Sequence, residues 1–172
     1  MIRTAIALAL ALPALAACST GSASSALATA GAYPEATPFD AATDPGPALA
    51  QALATAQAQD RLVLVVYGAN WCHDSRALAG WLETPRFAAL VADAYEVVFI
   101  EAGVPQTGEG RHLDIAADLG VTDITGTPTL LVLGSDGALL NSPENARAWR
   151  NAASRSEDEI YSFLESFTAQ GG

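Results

Sequence analysis

The feature that most constrains this chain is a single cysteine placed between an apolar run and a helical pattern. The run Leu62–Tyr67 is apolar throughout, which predicts a strand buried on both faces. Cys72 follows within the sequence Trp-Cys-His-Asp-Ser, and a helical pattern extends from Arg76 to Leu82. Backbone N–H groups in the first turn of a helix lack partners and favour negative charge, so a thiolate at this position is stabilised. A buried structural cysteine is the alternative, but the order of strand, cysteine and helix favours a reactive thiol.

Two segments resemble the active site of the thioredoxin-like superfamily. Trp71–Ser75 is similar to the Trp-Cys-x-x-Cys motif, with Ser75 in place of the second cysteine. Gly126-Thr127-Pro128 is similar to the loop whose cis-proline faces the active cysteine. The resemblance covers approximately residues 61–167. It implies an α/β, thioredoxin-like fold with a central mixed β-sheet flanked by helices.

The resemblance also implies roles for individual residues. Cys72 is the expected catalytic thiol, and Trp71, Thr127 and Pro128 are expected to bind substrate beside it. The backbone of Thr127 can pair with an extended substrate segment, which is a form of β-augmentation. The bond between Thr127 and Pro128 is expected to be cis and to lie against Cys72.

Two departures from the family's pattern bear on the chemistry. A dithiol oxidoreductase attacks a disulfide with one thiolate and resolves the mixed disulfide with a second thiol. Ser75 cannot resolve it, because a hydroxyl is a poor nucleophile toward sulfur, but it can support Cys72 by donating a hydrogen bond to the thiolate. Val66 stands where thioredoxins usually carry a buried aspartate that deprotonates the resolving thiol. Both departures predict that an external thiol is needed for turnover.

The two side chains that follow Cys72 are expected to have opposing effects on the stability of its thiolate. A protonated His73, which we also predict to contact substrate, favours the thiolate, and Asp74 opposes it. The alternative is that both lie in a solvated first helical turn. Adjacent side chains on a helix do not converge on one ion, and no second ligand cluster exists in the sequence. We therefore predict no metal and no cofactor.

The start of the chain predicts export and lipidation. The apolar segment Ala5–Leu15 is too short to span a bilayer comfortably, and it ends in Leu-Ala-Ala before Cys18. This resembles a bacterial lipobox, so residues 1–17 are predicted to be a lipoprotein signal peptide and Cys18 the lipidation site. Ordinary signal cleavage is the alternative. Ser19 is not the aspartate that retains lipoproteins in the inner membrane, which favours the outer membrane and a domain facing the periplasm.

The remaining chain predicts a tether and one domain. Residues 18–45 are rich in Ser, Ala, Gly, Thr and Pro and indicate a flexible, lipid-anchored tether, in which Tyr33 and Phe39 are candidates for docking on the domain. A helix is expected to start at Pro47, within a thioredoxin-like domain at 46–172. Residues 141–155 are longer than the connection in compact thioredoxins and predict a helical insertion, best explained as a surface helix that covers a sheet edge.

Several local patterns predict further elements. Val97–Ile100 indicates a second buried strand, and Arg111–Leu119 a short helix. Thr129–Leu133 and Ala138–Leu140 are expected to pair as a hairpin. Ser156 and Glu159 have the spacing of a capping box at the start of the last helix.

Composition limits the partners. The formal net charge is −11, and all eight basic residues are arginine. An acidic chain without basic clusters argues against nucleic acid and against electrostatic docking on anionic lipid, so membrane attachment would depend on acyl chains. If Cys18 carries lipid, Cys72 is the remaining thiol, and an intramolecular disulfide is excluded.

These observations favour a monomeric, thioredoxin-like protein that forms mixed disulfides with protein or small-molecule thiols and disulfides through Cys72. Thiol–disulfide exchange, isomerisation and deglutathionylation are all compatible with one thiol. The alternative is a non-catalytic binding module of the cell envelope that keeps the substrate groove. A covalent homodimer through Cys72 is a third interpretation.

Overall fold

The computed structural model describes residues 33–169. The predicted signal peptide, Cys18 and the tether as far as residue 32 lie outside the described residues. In chain order the helices and strands are α1 Pro45–Gln59, β1 Leu62–Gly68, α2 His73–Glu83, α3 Pro85–Ala94, β2 Tyr95–Glu101, β3 Gly103–Val104, β4 Glu109–Gly110, α4 Leu113–Asp118, β5 Thr129–Leu133, α5 Pro143–Arg147 and α6 Glu157–Thr168.

A three-stranded mixed sheet in the order β2-β1-β5 carries the fold. β1 pairs in parallel with β2, so that Leu64 lies opposite Val97. It pairs antiparallel with β5, so that Leu64 also lies opposite Val132. Every residue of β1 and β5 is buried. The predicted α/β class with a mixed sheet is confirmed, and the continuous apolar run of β1 is explained by its central position.

The side chains of β1 alternate between two apolar clusters, as the two-residue period of a strand requires. Leu64 and Val66 enter the cluster formed with α2, α3 and α6. Val63 and Val65 enter the cluster formed with α1 and α4. Burial raises the pKa of the Tyr95 phenol in the first cluster, and its hydroxyl donates to the carbonyl of Leu164 at 2.6 Å. The sheet is thus covered by helices on both faces.

Several element boundaries differ from those predicted. Helix α1 begins at Pro45 rather than Pro47, because Asp44 caps it by accepting a hydrogen bond from the N–H of Gly46. Helix α4 begins at Leu113 rather than Arg111, because His112 has a left-handed backbone with φ 54°.

The second half of the chain also departs from the predicted pattern in part. The expected strand Ala138–Leu140 is reduced to one bridge between Leu133 and Leu139. From Asn141 onward, the edge of β5 is bound by a side chain rather than by a second strand. The predicted capping box of Ser156 and Glu159 is present at the start of α6.

Residues 33–44, called here the N-terminal strap, pack across α2. Phe39 is only 3% exposed and joins the apolar cluster beneath α2. Its backbone exchanges two hydrogen bonds with the side-chain amide of Asn70, at 3.2 and 2.8 Å. Ala36 N–H donates to the carbonyl of Arg76 at 3.1 Å. This stretch, which its composition assigned to the tether, is part of the folded domain.

The segment 141–155 is a short helix and a 3₁₀ turn packed beside β5. Asn141 is buried, and its amide oxygen accepts from the N–H of Val132 at 2.8 Å. Its amide nitrogen donates to the carbonyl of Leu130, also at 2.8 Å. Leu140 N–H donates to the carbonyl of Val132. The outer edge of β5 is therefore hydrogen-bonded without another strand.

Trp149 anchors this segment in the core. It is 1% exposed, and its ring lies edge-on to Phe163 of α6 at a centroid distance of 4.6 Å. The guanidinium of Arg155 lies over the Trp149 ring, with its carbon 4.4 Å from the ring centroid. The next residue, Arg150, is exposed. Within residues 33–169, no helix has the length and apolar character needed to cross a bilayer.

Candidate functional site

Cys72 occupies the N-cap position of α2, directly after the turn that leaves β1. Its N–H donates to the carbonyl of Ala69, and its carbonyl accepts from the N–H of Arg76, each at 3.0 Å. The backbone of Cys72 is extended, with φ −88° and ψ 118°, and its side chain does not cap the helix. The thiol therefore lies at the helix N-terminus and is free to reach across to another loop. The residue is 8% exposed.

The loop that Cys72 reaches is the one preceding β5. The peptide bond between Thr127 and Pro128 is cis, as predicted. The thiol of Cys72 donates to the carbonyl oxygen of Thr127, with a sulfur–oxygen distance of 3.5 Å. Thr127 and Pro128 are both buried. The hydroxyl of Thr127 is also buried and has no hydrogen-bond partner among the described residues. The two segments singled out in the sequence thus meet.

An open cavity of about 240 Å³ lies over this meeting point. Trp71 forms one wall and is 51% exposed, with its indole N–H donating to the carbonyl of Gly103 at 3.2 Å. The lining residues are Trp71, Cys72, Gln106, Thr125, Gly126, Thr127 and Arg150. The exposed indole, the thiol and the loop at Gly126 and Thr127 together form a surface on which an extended segment can lie.

Ser75 lies beneath the site rather than in it. Its hydroxyl is fully buried and makes no hydrogen bond with any described residue, so the expected bond to Cys72 is not formed. A Cβ built on Gly68 would lie 3.0 Å from Cβ of Ser75, so Ser75 packs against the end of β1. The expected support of the thiolate by Ser75 is therefore absent in this structure.

His73 and Asp74 differ in their surroundings. The His73 side chain is 64% exposed and does not line the Cys72 cavity. Asp74 is 7% exposed, and one of its carboxylate oxygens accepts from the N–H of Ala153 at 2.9 Å. The other lies 3.2 Å from Nε2 of His73. A solvated turn is thus the wrong interpretation for Asp74, which ties the segment 141–155 to α2.

Three residues of the cavity were not anticipated from the sequence: Gln106, Thr125 and Arg150. The first two carry no local signal of a site. Arg150 carries none either, because Arg76 also lacks an acidic residue three or four positions away and yet pairs with Glu35 in the structure. Within residues 33–169, no group of three or more His, Cys, Asp or Glu side chains could hold a metal ion.

Comparison with known proteins identifies a thioredoxin-like fold. The sequence profile of a thioredoxin-like family matches residues 43–135. The solved structure of a disulphide isomerase from Xylella fastidiosa Temecula1 is 32% identical in sequence, with a TM-score of 0.67, and the match covers 77% of this chain and 98% of that one. A chloroplastic thioredoxin z is 20% identical, with a TM-score of 0.37 over 64% of this chain and 91% of its own. No curated protein sequence matches this chain significantly.

Proposed function

The chain belongs to the thioredoxin-like family, and we propose that it is a monothiol thiol–disulfide exchange protein of the bacterial cell envelope that acts through Cys72. The observation that carries this proposal is the contact of the Cys72 thiol with the carbonyl of Thr127, beside a cis-proline. The similarity over most of the chain to a disulphide isomerase supports exchange of disulfides rather than another thiol chemistry.

The proposed reaction has two exchange steps. Cys72 loses its proton, and its thiolate attacks one sulfur of a substrate disulfide, forming a mixed disulfide as the substrate's other sulfur leaves as a thiolate. A second thiol, from the same substrate or from a small molecule, then attacks the mixed disulfide and releases Cys72. When the thiol released in the first step and the thiol that attacks in the second belong to one substrate, the result is isomerisation, with no net oxidation or reduction.

The surroundings of Cys72 fit a single-thiol reaction. Ser75 supplies no thiol to resolve the adduct, and Val66 is fully buried and offers no proton acceptor. The mixed disulfide therefore persists until an external thiol arrives. Trp71 and Thr127 line the cavity over the thiol, and we expect them, with the adjacent Pro128, to hold an extended substrate segment until that thiol arrives.

Exchange is tested by trapping the adduct. The mature chain with Cys18 replaced by serine should gain the mass of one small thiol when treated with hydroxyethyl disulfide, and it should accelerate the recovery of scrambled ribonuclease in a thiol buffer. Cys72→Ser should abolish both effects, because it removes the sulfur that forms the bond. A chain that binds unfolded protein equally well with or without the Cys72 thiol, and forms no adduct, would instead be a binding module.

The site of action is proposed from the N-terminal sequence. We expect Cys18 to carry a diacylglyceryl group, which would hold the domain on the periplasmic face of the outer membrane. Mass spectrometry of the mature N-terminus should show this group, and Cys18→Ser should release the protein from the membrane fraction. An unmodified, freely soluble chain that starts at Cys18 would contradict the lipoprotein proposal and leave the exchange chemistry unaffected.

A further inference from the structure

One charged side chain lines the Cys72 cavity in the described part of the chain, and it is a guanidinium. Arg150 lies there with Trp71, Gln106, Thr125, Gly126 and Thr127, and none of these neighbours is acidic. The chain as a whole has a formal net charge of −11. A positively charged side chain therefore lines the cavity over the thiol, on a protein whose formal net charge is negative.

The guanidinium of Arg150 is largely unengaged within residues 33–169. It makes two long hydrogen bonds from one nitrogen, to the carbonyl and the hydroxyl of Thr125 at 3.4 and 3.5 Å. No carboxylate of the described residues lies within ion-pair distance of it, in contrast to five other arginines, which pair with acidic side chains: Arg61, Arg76, Arg86, Arg111 and Arg147. A guanidinium has five N–H donors, so most of this capacity is open to a ligand.

The fold holds Arg150 in this place. Trp149 is fixed in the core, which turns the next residue outward. The stem of Arg150 then lies on Gly126, where a Cβ would collide with its Cδ. Gly126 precedes the cis-proline loop that contacts Cys72. The absence of a side chain at Gly126 thus leaves room for Arg150 in the cavity that Cys72 also lines.

We propose that Arg150 is a specificity residue that binds a carboxylate of the substrate next to the disulfide under attack, so that the preferred substrates are disulfides with acidic groups near the sulfur. This inference rests on the proposed function. The planar fork of a guanidinium matches a carboxylate in two parallel hydrogen bonds. The long-range field of an acidic protein repels such substrates, and Arg150 offsets that repulsion where the sulfur atoms meet.

The test compares three small disulfides that differ in charge: oxidised glutathione, which is anionic, hydroxyethyl disulfide, which is uncharged, and cystamine, which is cationic. The rate of Cys72 adduct formation is measured with each on the chain lacking Cys18. In Arg150→Gln the ratio of the anionic rate to the uncharged rate should fall about two- to fivefold, the range for one solvent-exposed charge pair. The cationic rate should rise, and Arg150→Lys should retain part of the preference.

Arg147→Gln is the matched control, because it removes the same charge from the neighbouring helix without touching the Cys72 cavity. It should leave the rate ratio unchanged. An equal effect of both variants would assign the preference to net charge and overturn the role of Arg150. Unchanged ratios in Arg150→Gln, or an equal loss with all three disulfides, would also overturn it while leaving exchange at Cys72 established. Failure of the unsubstituted chain to react with any of them would overturn both proposals.

Discussion

Replacing Ser75 with cysteine should give this protein a disulfide that the natural chain cannot form. Cys72 occupies the N-cap position of α2 and Ser75 is the third residue of that helix, so the two are neighbours on one turn. Side chains at this spacing fall in the range of roughly 4.4–6.8 Å between Cα atoms that a disulfide requires. Oxidation of the Cys18→Ser, Ser75→Cys chain should remove both free thiols and the mass of two hydrogen atoms.

The introduced thiol should also change how long the mixed disulfide lasts. The introduced thiol would attack the mixed disulfide within the same molecule, at an effective concentration of about millimolar or higher. The small thiol should therefore be released from Cys72 at least about tenfold faster. Reduction of insulin with a dithiol donor should rise accordingly. The gain is limited by Val66, which leaves no proton acceptor beneath the new thiol.

Ser75→Ala is the control for this experiment. It leaves one thiol and should release the adduct as slowly as the natural chain. It should also keep or raise the free energy of unfolding by up to about 1 kcal/mol, since it removes a buried hydroxyl that has no partner among the described residues. If Ser75→Cys keeps both thiols free under oxidising conditions, residues 72 and 75 do not face each other and the site is not of thioredoxin type.

Replacing Phe39 with alanine should lower the free energy of unfolding by about 3–5 kcal/mol, the usual cost of emptying a phenylalanine site in a core. Its ring meets Phe99 edge-on at a centroid distance of 5.5 Å, and Gly68 lies against it, since a Cβ there would collide with the ring. Equilibrium unfolding in urea measures the change.

The effect should be specific to the buried residue of the strap. Thr37→Ala changes an exposed position two residues away and should alter stability by no more than about 0.5 kcal/mol. A loss below about 1 kcal/mol in Phe39→Ala would show that the N-terminal strap contributes little to the domain. The reactivity of Cys72 in the same variant would then report whether the strap supports α2 at all.

The parts of the site that could be predicted are those with a local pattern. The apolar run of β1 fixes a buried strand, the residues after it fix the position of Cys72 at a helix start, and Gly126-Thr127-Pro128 marks the loop that approaches it. Each of these three features can be predicted from a few neighbouring residues. Their meeting in space follows from the fold that the two motifs together imply.

The remainder depends on contacts between distant parts of the chain. Asp74 is buried because the backbone of Ala153, 79 positions later, donates to it. Phe39 enters the core because Gly68 leaves room for its ring. Arg150 reaches the cavity because Trp149 is anchored on α6. No periodicity or spacing in the sequence predicts these contacts, since each depends on the shape of an element that is distant along the chain.

The side chain of Asn141 has a consequence for how copies of this protein behave together. β5 reads Thr-Leu-Leu-Val-Leu, an uncharged, apolar sequence of the kind that recruits matching segments from other molecules when its edge is bare. The amide of Asn141 binds the outward N–H of Val132 and carbonyl of Leu130, where an incoming strand would bind. Together with the backbone N–H of Leu140, which donates to the carbonyl of Val132, this side chain occupies the edge groups that a strand of a second molecule would need for fibrous self-assembly.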